Sequence, residues 1–479
     1  MEFKDVDDIR NSLKGIAEVS GSKVKVIDAK KLRQAAIDDL VYNAVFSKNK
    51  EIKGNCRYLI KLCGAALNTK PASIQGLYEA MGRGEVSGFS VPAINVRGLT
   101  YDTGRAIFRS ALKNNVGAVI FEIAKSEMNY TDQSPYEYSS VVIAAAIKEG
   151  FQGPIFIQGD HFQMSAKNFA ANRQKEIDGL KDLMKCAIDA GFYNIDIDSS
   201  TLVDLSKPAI IEQQRPNFEA AAELTEYIRD IEPDGVTISV GGEIGEVGGK
   251  NSTEEELKVF MDNYNSTLVR MGNSMKGISK ISVQTGTSHG GVVLPDGSIA
   301  KVKVDFDTIE KLSKVSKKSY GLSGVVQHGA STLPDDAFHM FVERHASEVH
   351  LATGFQNMTY DSKHFPKGLK DEIYKYLNEK CAGEKKEGET DEQFFYKTRK
   401  KGFGPFKKKI WDMPESVRDR IGKELEDRFS LLFSKLNVVN TKPVVARWVK
   451  PVDVPLSLEK EIENADLKVQ AGGLSHSAD

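Results

Sequence analysis

The chain has 479 residues, 40% of them hydrophobic and 28% charged, a balance typical of a globular protein and not of a disordered one. Its formal net charge of −2 gives no general attraction to nucleic acid or to membrane surfaces. The four cysteines form no CxxC pair, the N-terminus lacks the apolar segment of a signal peptide, and no apolar run approaches the length of a membrane span. These features predict a cytoplasmic protein without nucleic-acid or membrane partners.

Residues 1–80 are predicted to form a helical N-terminal extension. Apolar residues recur at helical spacing in "SKVKVIDAKKLRQAAIDDLVYNAVF" and in "GNCRYLIKLCGAALNT". The next stretch, "ASIQGLYEAMGRGEVSG", continues this pattern and ends in glycines, as helices commonly do.

Residues 81–360 contain eight short apolar runs, each bounded by Gly, Pro or Asn, and each predicts a strand. The runs are "FSVPAINV", "GAVIFEIA", "GPIFIQGDH", "YNIDIDSS", "VTISVGGEIG", "ISKISVQTGTSHG", "SYGLSGVVQHG" and "EVHLATG". Helix-like stretches such as "TGRAIFRSALKNN" lie between them, so the pattern predicts βαβ units and a parallel sheet. Eight units are the number that closes a (β/α)8 barrel, and the GxGxxG turn of the doubly wound alternative is missing from "NVRGLTYDTG".

Residues 361–479 return to amphipathic and charged sequence and are predicted to form a helical C-terminal extension. Within it, residues 397–409 hold seven lysines or arginines. Such a run is usually a solvated face. The alternative is that it supplies phosphate contacts to a neighbouring active site.

Three of the eight histidines, His161, His289 and His328, follow predicted strands at equivalent positions. In a (β/α)8 barrel the functional side chains lie at the carboxyl ends of the strands. A lone histidine is more often structural, but three that converge on one rim predict a catalytic Zn²⁺ site with an open coordination position. Asp198 and Glu243 leave two further strands, where they either cap helices or orient the histidines and hold a second metal.

Asp160 directly precedes His161 in "IFIQGDHFQM". A neighbouring cation is expected to hold its pKa low, which makes it a candidate base at neutral pH. Adjacent strand residues normally point to opposite faces, so Gly159 and the end of the strand are expected to let both side chains face the mouth. His350, which opens the last strand, is expected to serve packing or the lower rim.

The order of "FSVPAINV", "GDH", "IDSS", "GGEIGEVGG", "TGTSHGG" and "VVQHGAS" resembles class II, zinc-dependent fructose-bisphosphate aldolases and their tagatose-bisphosphate relatives, over roughly residues 75–360. The resemblance implies that His161, His289 and His328 bind the catalytic zinc and that Asp160 transfers the proton. It implies that Asp198 and Glu243 hold or steer the metal between two positions. Loops that bind a ketose phosphate and a monovalent cation are also implied, and the substrate-binding residues expected at the mouth are Asn95, Gly290, Gly329, Ala330, Ser331, Thr353 and Gly354.

The sequence departs from the family pattern at three strand exits. It has Glu122-Ile123-Ala124 where Gln-x-Ser is usual, HGAST where HGGSG is usual, and Ala352-Thr353-Gly354 where an Asn and an Asp are usual. These positions touch substrate in the family, so the substrate is left open between a ketose (bis)phosphate, such as fructose 1,6-bisphosphate, and another phosphorylated or acidic sugar.

The activity itself is open in two respects. The chain could be a non-catalytic accessory subunit of a tagatose-bisphosphate-type aldolase, although its full set of histidines favours catalysis. A Schiff-base mechanism would need a lysine at the mouth, and Lys125 is the candidate. A homodimer or higher homo-oligomer is expected.

Overall fold

A computed structural model describes residues 1–245, 249–272, 275–287, 293–295, 300 and 304–470, and the backbone of 473–474. Its centre is formed by eight parallel strands, β1 Val91–Asn95, β2 Ile120–Ala124, β3 Gly153–Gln163, β4 Asn194–Asp198, β5 Ser239–Glu243, β6 Lys280–Val283, β7 Val325–Gln327 and β8 Glu348–Leu351. Each strand pairs with the next and β8 pairs with β1, so the sheet closes on itself. The predicted (β/α)8 barrel is confirmed, and each predicted run contains one strand.

Helices connect the strands in the predicted alternation. The helix Pro135–Glu149 shows why its ends lie where they do: the Ser134 hydroxyl accepts from the Glu137 N–H, Pro135 fixes the first turn, and Gly150 ends the helix in the left-handed conformation. The other connecting helices are Thr100–Lys113, Lys125–Thr131, Ala166–Ala171, Arg173–Ala190, Ile210–Ile231, Glu254–Arg270, Phe306–Tyr320, Phe338–Glu343 and Thr353–Asp361.

The residues before β1 are mostly helical, as predicted, with one local exception. Ala17–Ser20 and Lys23–Val26 pair as an antiparallel hairpin, and the exposure of the second strand alternates, so the predicted helix begins only at Ala29. The short strand Thr69–Pro71 adds to the outer edge of β3. The helices of this part are Val6–Ser12, Ala29–Lys31, Leu32–Ala36 (a π-helix), Ile37–Phe46, Lys50–Ala66 and Gln75–Gly82.

The residues after β8 are also helical. Their longest helix, Glu415–Lys435, packs against Thr100–Lys113 on the outside of the barrel. No helix among the described residues is long and apolar enough to cross a membrane. The domain boundaries at residues 80 and 360 stay a prediction. The remaining elements are the helices Lys367–Lys380, Ala382–Glu384, Asp391–Thr398, Arg399–Gly402, Lys407–Trp411, Glu415–Lys435, Lys442–Trp448 and Leu458–Glu463, and the paired strands Val469–Gln470 and Gly473–Leu474.

The interior of the barrel is charged beneath its mouth. Lys280 on β6 donates to Gln158 at 2.8 Å and forms ion pairs with Asp196 and Glu348. Burial, only partly offset by Lys280, raises the pKa of Asp196 to about 6. For Glu348 burial acts the same way, but Lys280 and His350 outweigh it and lower its pKa to about 2. Buried charges persist only when they are paired, so this layer gives the active-site residues a fixed polar base.

Candidate active site

Both Asp160 and His161 face the mouth because β3 is irregular at this point. The sequence predicted that the strand ends near Gly159, but it continues to Gln163. Its register with β4 shifts between Gly159 and Phe162. His161 takes a positive φ of 40°. A bulge of this kind redirects side chains, and it replaces the alternation that would otherwise separate the two residues. A Cβ at Gly159 would lie 2.5 Å from the Phe162 ring, so the bend requires glycine there.

Asp160 is buried and held from two sides. Its Oδ2 accepts a hydrogen bond from Asn95 Nδ2 at 2.9 Å, and its Oδ1 lies 3.2 Å from His350 Nδ1. Burial acts to raise the pKa of this carboxyl, but His161 and His350 outweigh it and hold the pKa well below its usual range. These surroundings therefore favour the ionised carboxylate at neutral pH.

His161 lies among acidic side chains. Its Nδ1 donates to Asp198 Oδ2 at 2.9 Å and lies 3.5 Å from Glu243 Oε2. Burial acts to lower the pKa of the imidazole, but Asp160 and Asp198 outweigh it and raise the pKa well above its usual range. The surroundings of this ring therefore stabilise positive charge strongly, as a cation site requires.

His328 follows β7 and lies between two other imidazoles. The centre of its ring is 4.3 Å from that of His161 and 4.1 Å from that of His350. Its Nε2 forms a hydrogen bond of 3.0 Å with the Ser282 hydroxyl of β6. Two of the three predicted histidines are thus brought together, whereas the third, His289, lies outside the described residues.

His350 is a further histidine of the cavity that the sequence did not indicate as a site residue. The expectation was packing or the lower rim, but the ring lies inside the barrel with Nδ1 3.2 Å from Glu122 Oε1 and Nε2 2.6 Å from Glu348 Oε1. Strand parity could have found it, because Glu348 and His350 share one face of β8 and a charged Glu348 in a buried strand needs partners inside the barrel.

Among the described residues, three groups of side chains have the composition of a metal site. Within each group the candidate ligand atoms all lie within 4.8 Å of one another. Imidazole nitrogens and carboxylate oxygens are the donors that Zn²⁺ accepts, so the residues at the mouth fit a divalent ion. The groups are Asp160, His161 and His328; His161, Asp198 and Glu243; and, deeper in the barrel, Glu122, Asp196, Glu348 and His350.

A cavity of about 280 Å³ opens above these residues at the carboxyl ends of the strands. Most of the predicted site residues line it, namely Asn95, Asp160, His161, Asp198, Glu243, His328, Gly329, Ser331 and Thr353. Ala330 is buried and does not line it, and Gly354 instead donates its N–H to the Ser331 hydroxyl at 3.1 Å. Gly290 lies outside the described residues. Lys125 donates to the Gln163 carbonyl at 3.3 Å and is not among the lining residues, which disfavours Lys125 as a Schiff-base lysine.

Several lining residues were not predicted from the sequence. Arg97 lies two residues beyond Asn95, and its Nε donates to Glu127 Oε1 at 2.6 Å, while Glu127 Oε2 accepts from Asn95 at 2.7 Å. Lys400 comes from the basic run of the C-terminal extension, for which the sequence offered phosphate contacts to a neighbouring active site as an alternative; it lines the cavity of its own chain. The lining residues that were not predicted are Arg97, Ala124, Ser126, Glu127, Tyr130, Gln163, His350 and Ala352.

A closed parallel barrel with histidines and carboxylates at the mouth defines a barrel enzyme with a candidate metal centre. The model of the class-II fructose-bisphosphate aldolase family matches residues 77–410, and the chain belongs to that family. It is therefore an aldolase, a carbon–carbon lyase, from a family that is generally metal-dependent. A comparison with curated proteins finds no match.

Solved structures resemble the chain remotely. A putative fructose-1,6-biphosphate aldolase from Coccidioides immitis is 16% identical, with 77% of this chain and 97% of that chain covered and a TM-score of 0.43. The YdjI aldolase from Escherichia coli K12 is 12% identical, with 77% of this chain and 98% of that chain covered and a TM-score of 0.46. The fructose-bisphosphate aldolase from Campylobacter jejuni is 17% identical, with 78% of this chain and 98% of that chain covered and a TM-score of 0.43. The family assignment stands on the family model alone.

Proposed function

We propose that the chain catalyses the reversible, zinc-dependent aldol cleavage of a ketose (bis)phosphate such as fructose 1,6-bisphosphate, giving dihydroxyacetone phosphate and an aldehyde. The observation that carries the proposal is the convergence of Asp160, His161 and His328 in one cavity of a class II aldolase barrel. A Lewis acid and a carboxylate base are the two groups that metal-assisted retro-aldol chemistry needs.

His161 and His328 would hold the metal, together with His289 as the sequence predicts. Asp198 and Glu243 would orient His161 or offer a second position for the ion, because both carboxylates lie within 3.5 Å of its Nδ1. A divalent ion at this place supplies Lewis-acid stabilisation of the negative charge that develops next to the ketone, worth several kcal/mol in the transition state.

Asp160 would move the proton. In cleavage its carboxylate takes the proton of the C4 hydroxyl while the C3–C4 bond breaks, and in condensation it returns that proton. The hydrogen bond from Asn95 and the nearby His350 hold the carboxylate at the cavity wall. Fixing a base in this way lowers the barrier because the reacting groups need no reorientation.

Gly329, Ser331 and Thr353 would bind the ketose phosphate. They belong to the loops after β7 and β8, where barrels of this kind commonly place a phosphate site. Backbone N–H groups of such loops, together with the Ser331 hydroxyl, are suitable donors for a phosphate group. Ala330 and Gly354 shape these loops from behind, because neither lines the cavity.

The test is retro-aldol turnover by the purified chain alone, with its metal content measured in the same preparation. We expect cleavage of a ketose phosphate, about stoichiometric divalent metal, and loss of activity on treatment with EDTA. Turnover without a second polypeptide would exclude the role of a non-catalytic accessory subunit. A metal-free preparation whose cleavage rate is unchanged by EDTA would overturn the proposal.

A further inference from the structure

The basic run at residues 397–409 contains one cation that differs from the rest. Six of its seven lysines and arginines form ion pairs with carboxylates, namely Lys397 with Glu389, Arg399 with Asp361, Lys401 with Glu384, Lys407 with Glu137, Lys408 with Asp412 and Lys409 with Glu372. Lys400 has no carboxylate partner among the described residues, and it lines the active-site cavity of its own chain. The other six cations are therefore neutralised by carboxylates of the protein, and Lys400 is not.

The segment that carries Lys400 is fixed to the rim of the barrel. Gly404 donates its N–H to the Tyr130 carbonyl at 3.2 Å, and the Phe403 ring packs so closely on Gly98 that a Cβ there would lie 2.2 Å from it. Arg399 donates to Asp361 at 2.8 Å from the preceding position. Lys400 is thus presented to the cavity from a rigid turn, which reduces the entropy lost when it binds a ligand.

Two neighbours of Lys400 complete a polar wall. Its Nζ lies 5.5 Å from the centre of the Tyr130 ring, and the Tyr130 hydroxyl oxygen is buried without a hydrogen-bond partner among the described residues. Arg97 lies on the same wall, where Nη1 donates to Thr353 Oγ1 at 3.1 Å. Arg97 forms an ion pair with Glu127, whereas the Lys400 ammonium has no ion-pair partner among the described residues and is available to an anion in the cavity.

We propose that Arg97, Tyr130 and Lys400 form a binding subsite for an anionic group of the substrate, a phosphate or a sugar carboxylate, on the β1–β2 side of the cavity. An anion at this place would pair with the Lys400 ammonium and accept from the Tyr130 hydroxyl, which satisfies two buried groups at once. Arg97, held by Glu127 and Thr353, adds charge and sets the shape of the wall. The C-terminal extension thereby contributes to substrate selection in the active site of its own chain. This assignment of substrate class rests on the proposed aldolase function.

The test measures binding and not turnover. Glycerol 3-phosphate and glycerate, which share a three-carbon skeleton but differ in the anionic group, are titrated calorimetrically into the metal-loaded full-length protein. We expect Lys400→Met to weaken binding of the preferred anion about tenfold or more, and Lys400→Arg to stay within about threefold. Tyr130→Phe, which removes only the hydroxyl, is expected to weaken binding about threefold to tenfold.

Lys401→Met is the matched control, because the Lys401 ammonium pairs with Glu384 and does not line the cavity. Its affinities should equal those of the unsubstituted protein. Wild-type affinity for both anions in Lys400→Met overturns the subsite, and Lys400→Gln replaces this variant if its melting curve shows that it does not fold. An inactive protein whose anion binding still depends on Lys400 would contradict the aldolase function alone, whereas an active protein without this dependence would contradict the subsite alone.

Discussion

The Nδ1 atom of His350 lies 3.2 Å from the Oδ1 atom of Asp160, and its Nε2 lies 2.6 Å from Glu348 Oε1 on the opposite side of the ring. The imidazole thus connects the carboxylate at the mouth with the charged layer inside the barrel, where Lys280 also pairs with Glu348. The position of Asp160 is consequently set in part by residues of this deeper layer.

Replacing His350 should lower kcat much more than it changes KM. In His350→Leu the Asp160 carboxylate loses one of its two restraints, so we expect kcat to fall about tenfold to hundredfold with KM within about threefold. His350→Gln, which keeps a donor, should recover part of the loss. His339→Gln on an exposed helix position is the control and should behave as wild type. Steady-state kinetics and melting curves measure this, and an unchanged kcat in folded His350→Leu would rule out the positioning role.

Removing the negative charge of Asp160 should abolish most of the activity while metal binding survives. Asp160→Asn keeps the size of the side chain but cannot take a proton, and loss of a general base typically costs about 10²–10⁴ in rate. Kinetics and metal analysis on the same sample separate this effect from metal loss. Asp204→Asn, at a half-buried position that does not line the cavity, is the matched control. A variant with wild-type kcat would show that another group moves the proton.

The barrel could be predicted from the sequence because each strand was marked locally by an apolar run between Gly, Pro or Asn, and the number of units allowed one closed topology. The exits of β3 and β7 could be predicted for the same reason, since strand ends at one rim must be neighbours. The bulge at His161 could not be predicted from the sequence. It depends on the Phe162 ring packing onto Gly159, which is a tertiary contact.

The sequence did not predict that Lys400 reaches the cavity of its own chain or that His350 lies inside the barrel, and the two physical reasons differ. Lys400 reaches the cavity only because a turn of the C-terminal extension docks on Tyr130 and Gly98, contacts of long sequence separation. His350 lies on a strand whose inward face carries charge, contrary to the usual apolar filling of a barrel. The charged interior is possible only because Lys280, Asp196 and Glu122 from other strands meet Glu348 and His350 there.

Metal content should depend on His161 and His328. Each of the variants His161→Ala and His328→Ala removes one imidazole from the candidate centre, so we expect metal retention after dialysis to fall below about a tenth of the wild-type value. His339→Ala is the control and should retain the metal. Elemental analysis gives the answer without any assay of activity. Full retention in both variants would place the metal elsewhere, for example in the deeper group that contains Glu122 and His350.

Anion affinity should fall with rising pH earlier than an ordinary lysine would allow. Burial and the neighbouring Arg97 lower the pKa of Lys400 from its usual 10.5. The ammonium binds the anion below this pKa and loses its charge above it, so affinity is present at the lower pH and is lost as the pH rises. The titratable groups around it are Arg97, Glu127, Tyr130, Glu384 and Lys401.

Lys400→Arg separates this effect from other titrations. Its guanidinium stays protonated, so the ratio of wild-type to variant affinity for glycerol 3-phosphate should be constant near pH 7.5, where phosphate monoesters are dianions, and should fall toward pH 10. Calorimetry at several pH values gives the ratio, from which changes at the metal centre cancel. A ratio that does not change over this range would show that Lys400 is not the titrating group.

Removing Lys280 should destabilise the whole barrel. Lys280→Met removes the ammonium that pairs with two buried carboxylates, Asp196 and Glu348, and breaking a buried pair in this way typically costs about 3–5 kcal/mol. The pKa of Asp196, already raised to about 6, would rise further above that of the unfolded chain, so the deficit should be largest at neutral pH and should shrink as the pH falls and the folded state takes up protons. Urea unfolding at pH 8 and pH 5 measures the difference. Lys276→Met is the control, because Lys276 forms a surface ion pair with Glu79, and it should cost about 0–1 kcal/mol at either pH. An equally small cost for Lys280→Met would mean that the charged layer contributes little to stability.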